Sequence, residues 1–158
     1  MKLEYIQDDR TLNKAVLLRE AGVYLSIAKN LITKDGVQFL AYNISPFTVN
    51  CAFACELYFK YLRNIYVPRD GKKSGWRTHK LSTLYGQLPL DIKQEIQDEY
   101  CKWTSEQSLE MCLETHSNAF ETFRYMYEQL SAVVEPQSLY NLCVSLHNVC
   151  INHTTEQQ

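Results

Sequence analysis

Glycine and proline are scarce in this chain of 158 residues, with five and four copies. Loop-rich and all-β folds use far more of both in their turns, so this scarcity excludes them. No stretch approaches the roughly 18 consecutive apolar residues that a membrane-spanning helix needs, and no membrane association is expected. The opening residues, MKLEYIQDDR, turn acidic early and carry no apolar run, which is not the pattern of a secretory leader. Cys-x-x-Cys pairs, a glycine-rich phosphate loop and a Gly-x-Ser-x-Gly elbow are all missing, so neither a metal nor a cofactor is expected. The net charge of −2 gives no global attraction to nucleic acid; any such attraction must be local.

What is present is an ordinary globular composition, 46% apolar and 22% charged. The length suits one domain, with a core over about residues 10–153, and a chain of this size buries roughly two-thirds of its unfolded surface. Six cysteines without an export signal imply a reducing compartment and a cytoplasmic location.

Helical periodicity dominates the chain, and no strand alternation competes with it. The spacing of Leu17/Leu18, Ala21, Tyr24/Leu25, Ala28 and Leu31/Ile32 predicts a first helix, capped by the DDRT stretch and ending near Gly36. A second helix is expected from Ser45 as cap and Pro46 as first residue to about Tyr66. After a loop at 67–80 come a short helix over Lys80–Leu88 and another over Pro89–Trp103. A long helix is predicted from Ser105 to Leu130, and a last one from Glu135–Pro136 onward. The fold class is therefore all-α, an up-and-down helical bundle of five to six helices.

In the long helix, Leu109, Leu113, His116, Phe120, Phe123, Tyr127 and Leu130 recur at alternating steps of four and three, one face of a helix. His116 sits inside that seam, where a buried imidazole needs a hydrogen-bond partner. Arg124 lies roughly 60° off the seam, at 100° per residue, and a guanidinium there needs an anion. The second helix offers one. It is apolar nearly all round, which places it at the bundle centre, yet it carries Glu56, Lys60 and Arg63 on one face. Glu56 and Arg124 are the expected pair, with Lys60 beside them in a structural polar cluster.

The loop is the other charged feature. Arg69, Lys72, Lys73, Arg77 and Lys80 face a single acid, Asp70, so residues 68–80 carry +4 and the remainder −6. With Trp76 among them, these residues can contact phosphates and stack on a base, or act as a solvated connector. Cys143, His147 and Cys150 share a helical face but have no clear fourth ligand, so zinc is not expected.

Three segments, in order, carry a resemblance: CAFACELYFKYLRN with Glu56 and Lys60, THKLSTLYGQLP led by His79, and FETFRYMYE with Arg124 and Tyr125. Together, over about Ser45–Glu128, they resemble the HEPN superfamily, all-helical domains of higher eukaryotes and prokaryotes named for nucleotide binding. The resemblance implies a homodimer, binding of RNA, a nucleotide or a protein partner, and a nucleotidyltransferase-type antitoxin beside it in a toxin–antitoxin or antiviral defence system. Many members are metal-independent ribonucleases whose motif is an Arg, a short spacer and then a His. That order is missing here, since His116 precedes Arg124. Catalysis would have to draw on an unconventional set of Arg124, His79 and His116.

Overall fold

The computed structural model describes residues 14–32, 43–67, 78–128 and 131–155. Among them are seven α-helices: α1 Lys14–Asn30, α2 Ile44–Tyr66, α3 Leu81–Gly86, α4 Leu90–Cys101, α5 Leu109–His116, α6 Ala119–Arg124 and α7 Pro136–Thr155. A 3-10 turn, Met126–Glu128, follows α6. No strand occurs among the described residues, and the chain is an all-α helical bundle. No helix among them is long and apolar enough to cross a membrane.

Helix α2 is the axis of the bundle. It packs against α1, α3, α6 and α7. Residues on every side of it are buried, from Phe47 and Cys51 through Tyr58, Phe59 and Leu62. A helix apolar on all faces can be satisfied only in that position. Its start differs from the expected one. The helix begins at Ile44 after Asn43, and Pro46 falls in the third position, where a missing N–H still leaves no intrahelical bond unmade. Thr48 donates its hydroxyl to the Ile44 carbonyl at 2.7 Å, adding a bond within that first turn.

Helix α7 seals the other side through Leu139, Leu142, Leu146 and Val149, all buried. Polar bonds pin it to α2 along its length: Tyr58 Oη to His147 Nδ1 at 2.8 Å, Tyr61 Oη to Thr154 Oγ1 at 3.0 Å, and Tyr66 Oη to His153 Nδ1 at 2.5 Å. The opposite ring nitrogen of His153 meets Glu95 of α4 at 2.6 Å, so one imidazole joins three helices.

The long helix expected over Ser105–Leu130 is not continuous. Ser108 caps α5 by accepting the Met111 N–H at 3.1 Å, and the helix stops at His116. Ser117 and Asn118 form a turn before α6. Serine and asparagine offer the backbone alternatives to helical bonding, and two in succession allow a break. The break has a use: the Ser117 carbonyl accepts the first N–H of α3, from Leu81, at 3.0 Å. It also rotates the seam. Ala119 and Phe123 become the buried pair after the turn, while Phe120 moves out of the core line and is only part-buried.

Candidate functional site

The site grows from one acid in an apolar helix. Glu56 lies at the centre of α2 with its side chain 1% exposed. A carboxylate so buried must be paired or protonated. Two groups meet it. Lys60, one turn later on α2, donates from Nζ to Oε1 at 2.5 Å. His79, two residues before α3, donates from Nδ1 to Oε2 at 2.9 Å. The Ser117 carbonyl that holds Leu81 fixes the chain two residues beyond His79, so the helix break helps to set this imidazole in place.

Glu56 fixes more than position. Its carboxylate at Nδ1 requires the hydrogen there, which leaves Nε2 as the open nitrogen of a neutral ring. Among the described residues Nε2 has no hydrogen-bond partner, and the His79 side chain is 42% exposed. A half-buried histidine oriented by a buried carboxylate can accept or donate a proton at its outer nitrogen.

The ring of His79 also lies on that of Phe120, with centroids 5.5 Å apart. Phe120 stacks in turn on Phe53 of α2 at 4.9 Å, and Phe53 meets Tyr24 of α1 edge-on at 4.7 Å. Four rings from four segments thus form a ladder from α1 outward to His79. Stacking and edge-to-face contacts of this kind are each worth ~0.5–1.5 kcal/mol beyond their buried area.

Arg124 is where the structure departs most from expectation. It does not pair with Glu56, whose two oxygens are taken by Lys60 and His79. Because the chain turns at Ser117–Asn118, Arg124 emerges exposed at the end of α6. Its guanidinium lies over the rings of Phe120 at 5.7 Å and Tyr125 at 5.4 Å. Arg124 and His79 are therefore neighbours through the same phenyl ring. The polar cluster consists of Glu56, Lys60 and His79.

His116 does not join them as an open catalytic group. It is fully buried, and both ring nitrogens are engaged: Nδ1 donates to the Cys112 carbonyl at 2.9 Å, and Nε2 accepts the Glu135 N–H at 3.1 Å. Burial holds its pKa below the ordinary imidazole value. Its role is to join the end of α5 to the start of α7.

Of the basic residues proposed for binding, Lys80 is exposed beside His79. Arg69, Lys72, Lys73, Trp76 and Arg77 lie outside the described residues. The face carrying Cys143, His147 and Cys150 points into the core. His147 bonds Tyr58, and Cys150 Sγ approaches the Tyr58 carbonyl at 3.8 Å. Burial pushes the thiols of Cys51, Cys55 and Cys150 well above their usual range. Among the described residues no three such side chains are grouped to hold a metal ion.

Sequence reasoning missed the pairing of His79 with Glu56 and the ring ladder. Helical periodicity locates a residue on a face but is silent on what crosses to meet it. The one available signal was that a central apolar helix carrying an acid demands a nearby cation, and His79 heads the segment that must return to that helix. Compared with known proteins, the chain matches no family model, no curated protein and no solved structure.

Proposed function

We propose that this bundle is a HEPN-like domain that acts by dimerisation and by binding RNA, using the surface around His79 as its contact. One observation carries the reading. His79 and Arg124 both lie against the Phe120 ring, Lys80 is exposed beside His79, and the sequence carries five basic residues within 68–80. Ring faces stack on unpaired bases, and cations beside them hold the phosphates. The ladder behind Phe120 keeps the platform rigid, so little order has to be gained on binding.

A second reading is favoured by the Glu56–His79 bond. A carboxylate-held histidine with an open Nε2 and an arginine nearby is the equipment for metal-independent RNA cleavage: His79 moves a proton, Arg124 stabilises charge on phosphorus, and Glu56 orients the ring.

The test is a titration of single-stranded RNA at several salt concentrations, in a chelating buffer, with the RNA run on a gel afterwards. Salt-sensitive binding is expected, because phosphate contacts release counterions. Neutralising Lys72, Lys73 and Arg77 should make the salt slope shallower by up to ~2 units, at ~0.7 per contact on a single strand. Intact RNA supports binding alone. Cleavage lost in both His79→Ala and Arg124→Ala, with the fold retained, supports the ribonuclease. No binding at low salt would sink both.

A further inference from the structure

His116 joins two helices in a way that works in only one protonation state. The Cys112 carbonyl can only accept a hydrogen bond, so Nδ1 must carry the hydrogen at 2.9 Å. The Glu135 N–H can only donate, so Nε2 must be bare at 3.1 Å. Protonation places a hydrogen on Nε2 and sets two donors against each other at that distance. The ring is fully buried, so water cannot enter without the junction parting.

We propose that His116 is an acid-sensitive latch: its protonation releases the start of α7 from the end of α5, opening residues 131–138 while the rest of α7 stays packed.

The groups facing the ring leave no other route. On α5 the neighbour is the Cys112 thiol, 3.6 Å from Nδ1, which burial raises to about 11 and which stays neutral throughout. From α4, Tyr100 reaches Cys112, and its hydroxyl is raised by burial. At the start of α7 the Glu135 carboxylate is the one charge acting on the ring among the described residues, and it favours protonation. Burial opposes it and prevails, so the closed junction refuses the proton and only the open junction accepts it.

The attachments of the segment make a local release feasible. Residues 131–135 form no regular secondary structure, and Val133 is largely exposed. Beyond the His116 bond, the segment is held by a Gln107–Glu135 side-chain bond at the surface, by part-buried Val134 against the core, and by Ser138 Oγ and the Leu139 N–H on the Glu135 carbonyl at 3.2 and 3.1 Å. Cys112 Sγ reaches the Ser138 carbonyl at 3.4 Å, a weak sulfur contact. From Leu139 onward α7 is anchored by buried leucines.

Hydrogen exchange of backbone amides, followed by NMR with correction for intrinsic rates, tests this in the whole chain. The Glu135 amide should lose protection about tenfold for each pH unit below roughly 6.5, the ordinary imidazole value, until His116 itself titrates. The Leu146 amide should keep its protection over the same range. His116→Gln offers an acceptor near the Nε2 position and cannot titrate, so Glu135 protection should become flat with pH. A flat profile for Glu135 in the unaltered protein overturns the proposal, as does loss at Leu146 in step with Glu135, which would signal global unfolding. If the glutamine variant does not fold, the unaltered protein decides through those two amides.

Discussion

His79 meets Glu56 with 2.9 Å between Nδ1 and Oε2, across 23 residues of chain. The bond fastens the segment before α3 to the middle of the most buried helix in the bundle, and it orients the only ring nitrogen of the cluster that faces outward. Position and chemistry at this site therefore share one acid, and altering that acid should affect both.

Replacing Glu56 with Ala leaves the Lys60 ammonium, only 13% exposed, without its partner and frees His79. Breaking a buried pair from one side costs about 3 kcal/mol, roughly 6–12 °C in melting temperature for a domain of this size. Lys60→Met should be milder, since His79 still faces the carboxylate. Urea unfolding of both variants measures the difference, and an unchanged midpoint for Glu56→Ala would show that the acid is dispensable to the fold.

Arg124 should behave in the opposite way. An exposed guanidinium over two rings contributes about 0.5–1 kcal/mol, so Arg124→Ala should barely move the unfolding midpoint. If the proposed surface binds RNA, the same substitution should still weaken binding. A loss of about 3 kcal/mol in stability would restore the Glu56–Arg124 pair that the sequence suggested.

The acid limb of stability should have two stages. His116 has a lowered pKa because burial opposes its charge, so the unfolded chain binds the proton first and stability falls as pH drops below roughly 6.5. For Glu99, burial raises the pKa but bonds to Lys102 and Asn148 outweigh it, and the net shift is downward. Stability from that acid is present above its unfolded value of about 4.3 and is lost as pH falls through the lower folded value. Melting temperatures across pH should thus decline in an upper and a lower window. His116→Gln should remove only the upper one; its persistence would assign that window to another group.

The bundle was legible in the sequence wherever one helix buries one stripe. The spacing of Leu17, Ala21, Leu25 and Ala28 marks α1, and Leu139, Leu142, Leu146 and Val149 mark α7, all of them buried. It failed where a regular pattern hid a turn. The steps from Leu113 to Phe120 suit a continuous helix; Ser117 and Asn118 permit a break there, and tertiary bonds from Leu81 and Ser82 to Ser117 favour it. That error carried into the site, because a straight helix would have directed Arg124 inward. His153 shows the same limit: its bonds reach Tyr66 and Glu95, 87 and 58 residues away, and no local spacing encodes either.

The pinning of α7 to α2 has a consequence for how the chain acquires its fold. Tyr58 and Tyr66 find their histidine partners 89 and 87 residues later. Until residues 136–155 have been synthesised, one flank of the central helix has nothing to lie against, and its apolar side chains remain available to other chains. Contacts so distant in sequence slow folding, and exposed apolar surface in the interval invites aggregation. A ribosome-bound chain ending before Pro136 should therefore engage chaperones that hold apolar segments, and should let go of them once α7 has emerged.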